Sequence, residues 1–120
     1  MTISLHAQHQ FDDYGLFSKT MDDIIAKYPK ISKCLYGRSK MEEFAKRYFK
    51  GSNVICNNPR LSRLKIQNLY KIVEESDLSI FFYNSKLTGG YMATKKTINH
   101  AKNLGKDFLV VEFLVKNDYN

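Results

Sequence analysis

Two periods alternate in the hydrophobic pattern of this chain. Short apolar runs such as Leu78 to Tyr83 are typical of buried strands, and the longer segments between them repeat apolar residues at helical spacing. The helical spacing is clearest between Phe17 and Tyr28, where Pro29 ends it, and between Met41 and Phe49, which Gly51 follows. The pattern therefore predicts strands and helices in alternation along the chain.

The alternation gives five strands and four helices. The predicted strands are Thr2–His6, Ile31–Tyr36, Asn53–Cys56, Leu78–Tyr83 and Phe108–Phe113. The predicted helices contain Phe17–Tyr28, Met41–Phe49, Arg60–Glu75 and Tyr91–Leu104. In the third helix, the residues expected to point inward are Leu61, Leu64, Leu69, Ile72 and Val73. The last two strands are continuous apolar runs, which is typical of strands in a parallel sheet that is covered on both faces.

These elements predict an α/β fold, with a single compact Rossmann-like domain over residues 1–115 and a polar tail at 116–120. The domain is expected to hold a five-stranded parallel sheet with helices on both faces, because right-handed crossovers place helices above and below such a sheet. The first strand is expected at the centre, beside the fourth. Ligands bind these sheets beyond the carboxyl ends of the strands, where the strand order reverses.

The residues that follow the predicted strands form a candidate ligand crevice. Gly89 and Gly90 open the helix after the fourth strand, where unpaired amides and the helix dipole favour a phosphate or carboxylate. A plain turn is the competing interpretation. Tyr83 and Tyr91 flank the glycines and either stack on a base or pack locally. The candidate ligand-binding residues are Gln8, His9, Gly37, Arg38, Asn57, Asn84, Thr88, Gly89, Gly90, Tyr91 and Thr94.

Composition adds an electrostatic expectation. The chain has a net charge of +7 and a pI of about 9.4, which suits a polyanionic partner, although a solvated lysine-rich surface is the competing interpretation. The cations expected to contact nucleic acid are Arg60, Arg63, Lys65, Lys95, Lys96 and Lys102. Cys34 and Cys56 are expected to be reduced, buried on adjacent strands and slow to react. No apolar run approaches transmembrane length, so we expect a cytoplasmic protein without membrane contacts.

Several motifs resemble the SLOG superfamily of small Rossmann-like proteins. They are Gly37-Arg38-Ser-Lys-Met-Glu42, Arg63 and Asn68 ahead of Glu-Ser-Asp77, the Thr88-Gly-Gly turn, and the run from Thr97 to Lys106. This superfamily groups the DprA DNA-processing protein, LOG-type phosphoribohydrolases, nucleoside deoxyribosyltransferase relatives and nucleotide-sensing domains of prokaryotic and phage conflict systems. The resemblance spans the chain from about Ile31 to Phe113. It implies a nucleotide-derived ligand near Gly37 and Arg38, with Thr88, Gly89, Gly90 and Thr94 at the phosphate-facing helix start.

One departure from the LOG-type enzymes bears on activity. Their Gly-Gly-x-Gly-Thr-x-x-Glu turn carries a glutamate that acts on the glycosidic bond, whereas the predicted helix Tyr91–Leu104 contains no acidic residue. Cleavage of an N-glycosidic bond needs a carboxylate as nucleophile or stabiliser. The acids that could reach the crevice from elsewhere, each also interpretable as solvated or capping, are Asp12, Asp13, Glu42 and Glu112.

Three functions follow as alternatives. The first is binding of a nucleotide or ADP-ribose-like ligand without turnover, for sensing or sequestering. The second is an N-glycosidic hydrolase or transferase with a displaced acid, and the third is DprA-like binding of single-stranded nucleic acid. No cofactor or metal site is predicted, because His6 and His9 have no third ligand nearby in sequence. Composition favours a phage or mobile-element protein with an anti-defence role, and the resemblance implies a homo-oligomer.

Overall fold

The computed structural model describes residues 1–37, 39–87 and 92–115 and confirms the α/β fold. Strands and helices alternate, as the hydrophobic pattern predicts. The elements are β1 (Thr2–Ala7), α1 (Tyr14–Lys27), β2 (Lys33–Tyr36), α2 (Ser39–Tyr48), β3 (Ile55–Asn57), α3 (Lys65–Glu75), β4 (Leu78–Tyr83), α4 (Ala93–Leu104) and β5 (Asp107–Glu112). The predicted tail at 116–120 lies outside the described residues.

The five strands pair in parallel in the order β3-β2-β1-β4-β5. The central strand β1 pairs on both sides, so that Ile3 is the register partner of Cys34 in β2 and of Leu78 in β4. The prediction that the first strand is central and borders the fourth is therefore confirmed. The strand order reverses between β1 and β4, which fixes where a ligand crevice belongs in this fold.

Side-chain alternation along β1 divides the core into two layers. Ile3, Leu5 and Ala7 point to the face covered by α1 and α2, where they join a large cluster rich in aromatic rings. Phe17 of α1 and Phe44 of α2 meet in that cluster, with ring centroids 5.4 Å apart. This face supplies most of the buried apolar surface that stabilises the domain.

The opposite face, under α3 and α4, is smaller and more polar. Its apolar cluster consists of Val73, Phe81, Ile98 and Ala101. Ser4, His6 and Ser79 are buried on the same face, which places hydroxyls and an imidazole in the middle of the sheet. Buried polar groups are costly unless they are hydrogen-bonded, so their partners matter to the fold as well as to the site.

The predicted start of the third helix is wrong. Helix α3 begins at Lys65 rather than at Arg60, and Leu61 and Leu64 are exposed by 39% and 66% instead of pointing inward. The physical reason is local, because the Asn68 side-chain oxygen accepts the amides of Leu61 at 2.7 Å and of Ser62 at 3.2 Å. The segment before α3 is thereby held as a loop that competes with helical backbone hydrogen bonding.

The second and third strands begin later than predicted. β2 begins at Lys33 rather than at Ile31, and β3 begins at Ile55 rather than at Asn53. Before β3, the Val54 amide donates to the Ser52 hydroxyl at 3.2 Å, which holds this segment in a bend.

The two cysteines lie on adjacent strands, as predicted, and are direct register partners. Cys34 is buried, but Cys56 is only partly buried, so the prediction of two buried thiols is wrong for Cys56. The reason is that β3 is an edge strand of three residues. Among the described residues, no helix combines the length and the apolar character that a membrane crossing requires.

The N-terminus of α1 gives a stability prediction. The Asp13 side chain accepts the Leu16 amide at 3.0 Å, which satisfies one of the unpaired amides of the first turn. We expect Asp13→Ala to lower the free energy of unfolding by about 1 kcal/mol, measured by urea denaturation. Asp23→Ala, which removes only an exposed ion pair with Lys19, is the matched control and should have little effect. Equal losses in both variants would contradict a capping role for Asp13.

Candidate functional site

The candidate crevice lies where the chain leaves β1 and β4 in opposite directions. After β1 the chain crosses to α1 on one face, and after β4 it crosses to α4 on the other. The carboxyl ends of two neighbouring strands therefore diverge at this edge of the sheet. Such a divergence opens space for a ligand next to backbone groups and helix starts.

The Gln8 side chain lies at the base of the gap between the ends of β1 and β4. Its oxygen accepts the Asn84 amide at 2.7 Å, and its nitrogen donates to the Asn84 carbonyl at 3.2 Å. The carboxamide thus continues the β1–β4 ladder beyond the last strand residues. Gln8 was predicted to bind ligand directly, and the structure places its polar atoms on the neighbouring strand end.

Asn84 and Phe11 hold the two loops that leave the crevice. Asn84 is buried, its Nδ2 donates to the Phe113 carbonyl at 2.9 Å, and its Oδ1 accepts the Lys86 amide at 2.8 Å. Phe11 is fully buried and stacks on Phe82 with ring centroids 4.4 Å apart. The loop after β1 and the start of the loop after β4 are therefore anchored by specific contacts.

A small cavity opens at this edge. Its volume of about 10 Å³ is about the room that one water molecule needs. The lining residues are Leu5, His6, Ala7, Gly37, Leu69, Thr94 and Thr97. They come from β1, from the end of β2, from α3 and from the first turns of α4. The cavity suits a single small polar group, such as one oxygen atom of a larger ligand.

The start of α4 forms one wall of this cavity. Met92, the residue before the helix, has φ 55° and ψ 29°, a left-handed conformation that costs free energy for a residue other than glycine. Within the described residues, the first turn carries neither a side-chain cap nor an acidic residue. The first amides of a helix have no intrahelical partner, so this turn presents donors towards the crevice.

Thr94 is the polar side chain of that turn that faces the cavity. It is only 5% exposed, and its hydroxyl makes no hydrogen bond to any residue that the structure describes. Thr97, one turn later, differs because its hydroxyl donates to the Ala93 carbonyl at 2.8 Å. Because Thr94 lines the cavity and its hydroxyl has no described partner, it is the side chain best placed to bind a ligand oxygen.

His6 lines the same cavity and is held from behind by a chain of serines. Ser4 donates to Ser79 at 2.8 Å, and Ser76 donates to the Val73 carbonyl at 2.9 Å. Ser79 then donates to Ser76 at 3.1 Å, because the Ser76 proton is already used. The Ser4 and Ser76 hydroxyl oxygens also lie 3.1 Å apart. Each of these hydroxyls already donates its proton to another acceptor, so this is a contact between two oxygens.

This chain fixes the protonation of one imidazole nitrogen. Ser4 uses its own proton on Ser79, so the His6 Nε2 atom, 2.9 Å from the Ser4 hydroxyl, must be the donor of that bond. The ring also stacks on Phe81 with centroids 4.6 Å apart. His6 therefore presents a fixed ring orientation to the cavity, and its Nε2 carries a proton.

Gly37 lies close to α3. A Cβ atom at this position would lie 2.8 Å from Cδ2 of Leu69, so the end of the Leu69 side chain would have to move to admit it. The end of β2 thus approaches α3 without a side chain between them. The cavity wall depends on this approach, since Gly37 and Leu69 both line it.

The other predicted binding residues are distributed around the edge. His9 is exposed in the turn after β1, and Asn57 is exposed at the end of β3. Tyr83 is partly buried and packs with the cluster under α3 and α4, as its packing interpretation proposed. The predicted residues Arg38, Thr88, Gly89, Gly90 and Tyr91 lie outside the described residues.

Three of the four acids weighed as replacements for a catalytic glutamate have other contacts. Asp13 caps α1, Asp12 pairs with Lys40 at 3.1 Å, and Glu42 pairs with Lys46 at 2.7 Å. Glu112 is exposed on the edge strand β5. Among the described residues, the cavity lining contains no carboxylate.

Five of the six cations predicted to contact nucleic acid lie at the carboxyl edge of the sheet. Arg60, Arg63 and Lys65 follow β3 and start α3, and Lys95 and Lys96 lie in the first turn of α4. Helices that follow parallel strands begin at this edge, so these five residues lie at the same edge of the sheet as the crevice. Lys102 is at the other end of α4, about 10 Å further along its axis.

Sequence reasoning missed part of the cavity lining. His6 was weighed only as a metal ligand, and Thr97 and Leu69 were not assigned to the site. The sequence signal that was present is the alternation of the polar residues Ser4 and His6 with apolar residues along the first strand. No three His, Cys, Asp or Glu side chains gather as a metal site within residues 1–37, 39–87 and 92–115.

Comparison with known proteins adds no family assignment. Neither a scan against protein-family models nor a search of the curated proteins found a match to this chain. The resemblance to the SLOG superfamily therefore stays a prediction that rests on its motifs.

The serine chain gives a prediction with two readouts. Ser4→Ala removes the acceptor of His6 Nε2 and the donor to Ser79, so we expect it to destabilise the fold by about 1 to 3 kcal/mol in urea denaturation. Ser18→Ala, on the partly exposed face of α1, is the control and should change stability by less than about 0.5 kcal/mol. Nitrogen-15 shifts of the His6 ring should report a proton on Nε2 in the unaltered protein. A neutral ring protonated on Nδ1 alone would refute the chain.

Proposed function

We propose that this protein binds a nucleotide or nucleotide-derived ligand, for sensing or sequestering, at the crevice between β1 and β4. The observation that carries the proposal is Thr94, a residue only 5% exposed whose hydroxyl has no partner among the described residues, at the start of α4. A phosphate oxygen placed there would accept from this hydroxyl and from the first amides of the helix. The small cavity seats one such oxygen, and the rest of the ligand lies over the edge of the sheet.

The electrostatic surroundings support an anionic ligand. The described first turns of α3 and α4 contain no acidic residue, whereas Lys65, Lys95 and Lys96 are placed there. The helix dipole adds positive potential at the same positions. A ligand that carries phosphate gains from every one of these charges, and a neutral ligand gains from none of them.

Binding without turnover is favoured over glycosidic cleavage. An enzyme of the LOG or deoxyribosyltransferase type needs a carboxylate within reach of the anomeric carbon. Asp12 and Glu42 are engaged with lysines, and Asp13 caps a helix. His6 Nε2 is occupied by Ser4, which favours an orienting role for this ring over proton transfer through that atom.

A second candidate, the binding of single-stranded nucleic acid, is favoured by the cation distribution. Arg60, Arg63, Lys65 and Lys95 lie at the same edge of the sheet as the crevice. Leu61 and Leu64, which lie between Arg60 and Lys65 in the sequence, are exposed. Lysine and arginine contacts to successive phosphates, with apolar side chains against the bases, are typical of such surfaces.

A cytoplasmic location and a homo-oligomer complete the proposal. β5 lies at the end of the sheet, and its Leu109 and Val110 are each 41% exposed. Exposed apolar edge strands pair readily with another chain. We therefore assign the contact between copies to β5 rather than to a helix face. The phage origin and anti-defence role stay predictions from composition.

The ligand proposal is tested by a pair of threonine variants. We expect adenosine monophosphate or ADP-ribose to bind, with inorganic phosphate as a competitor, in isothermal titration calorimetry. Thr94→Val should weaken binding by about 1 kcal/mol, roughly fivefold, because one hydrogen bond is lost. Thr97→Val is the matched control, since that hydroxyl is bound to Ala93, and it should leave affinity unchanged. Full affinity in a folded Thr94→Val protein would remove this turn from the site.

The nucleic-acid candidate makes a different prediction. Fluorescence anisotropy with a labelled oligothymidylate should show affinity that falls steeply with salt, because phosphate contacts release counterions. Lys95→Ala should lower both the affinity and the salt slope, whereas Lys102→Ala, at the far end of α4, should change neither. Equal effects of the two substitutions would indicate diffuse charge attraction rather than a site at the carboxyl edge.

A further inference from the structure

The two cysteines of the chain face each other across the edge of the sheet, away from the ligand crevice. Cys34 in β2 and Cys56 in β3 are direct register partners, and both pack against the cluster under α1 and α2. Paired strands lie about 4.8 Å apart, which falls within the Cα separations of disulfides. The backbone therefore holds the two thiols at a spacing that a disulfide can bridge.

The two sulfur atoms have different environments. Cys34 is buried, whereas Cys56 is partly buried on the short edge strand, with its sulfur 3.9 Å from the Ala45 carbonyl. A hydrogen bond from the Cys34 thiol, opposed by burial and assisted by the charge of Lys46, lowers the pKa of Cys56 to about 7. The same hydrogen bond, together with burial, raises the pKa of Cys34. Cys56 is thus the thiol of the pair that ionises more readily, and Cys34 is the neighbour that keeps its proton.

We propose that Cys56 is a site of reversible oxidation by peroxide and that Cys34 resolves it into a disulfide between β2 and β3. An accessible thiolate beside a second thiol is the arrangement that favours this chemistry over irreversible oxidation. Cys56 is itself partly exposed on the edge strand, which admits a small oxidant, and the strand of three residues allows the small shift that bond formation requires.

The reaction balances in two steps. The Cys56 thiolate attacks one oxygen of hydrogen peroxide, the O–O bond breaks, and the released hydroxide takes a proton, so that Cys56 becomes a sulfenic acid and one water forms. The Cys34 sulfur then attacks the Cys56 sulfur, the S–O bond breaks, and the Cys34 proton leaves with the hydroxyl group as a second water. Two electrons pass from the thiol pair to peroxide, and a dithiol reductant reverses the change.

Differential alkylation of the unaltered native protein is the first test. At pH 7, iodoacetamide should label Cys56 roughly ten times faster than Cys34, because Cys56 is more accessible and holds far more thiolate. Mass spectrometry assigns the label directly, since the chain has only these two cysteines. Faster labelling of Cys34, or equally slow labelling of both thiols, would overturn the proposal.

Peroxide treatment with dimedone as a trap is the second test. The unaltered protein should lose two hydrogens and both free thiols, and dithiothreitol should restore them. Cys34→Ala should instead accumulate a dimedone adduct on Cys56, whereas Cys56→Ser should show neither product. Accumulation of sulfinic acid on Cys56 in the unaltered protein, without a disulfide, would show that Cys34 does not resolve it. If Cys34→Ala fails to fold, the disulfide and the alkylation order in the unaltered protein decide the question.

Discussion

The geometry of the candidate site depends on how the β1–β4 ladder ends. Two parallel strands that send their helices to opposite faces must separate, and the separation leaves backbone groups without strand partners. Gln8 supplies a partner for the backbone amide and for the backbone carbonyl of Asn84, so the strands part directly after a closed pair of hydrogen bonds. The Asn84 carbonyl also accepts the Leu87 amide at 3.2 Å, so the amide is the group that depends on the Gln8 carboxamide. The two strands can therefore separate without leaving that amide unpaired.

The two faces of the sheet serve different purposes. The α1–α2 face is packed with aromatic rings, including Phe11, Phe17 and Phe82, and carries most of the apolar burial. On the α3–α4 face, hydrogen-bonded serines that end at His6 occupy positions where apolar side chains would otherwise be buried. A buried polar chain gains less than apolar packing does, but it fixes one arrangement when every member is satisfied. The α3–α4 face thus gains a fixed arrangement of its polar side chains at some expense of stability.

The sequence was sufficient for the architecture and insufficient for the site. Period and turn residues identify every strand and helix, since burial on two faces leaves a strong pattern. The start of α3 could not be predicted, because Leu61 and Leu64 continue the helical period while Asn68 holds their segment as a loop. The roles of Gln8 and Thr94 depend on contacts across the sheet and at a helix start. Such contacts follow from register and from hydrogen-bond completion, which no local pattern carries.

The helix starts at the crevice depart from ordinary helix preferences. α1 follows them, with Asp13 at its positive end, but α3 begins with Lys65 and α4 carries Lys95 in its first turn. Each cation placed against a helix dipole costs a few tenths of a kcal/mol, and the left-handed Met92 adds to that cost. Local rules are most often broken where function requires it. An anion bound at this edge would offset the positive ends of the helix dipoles and the charges of the lysines together. The unfavourable charges would then have a physical reason to lie beside the cavity that Thr94 lines.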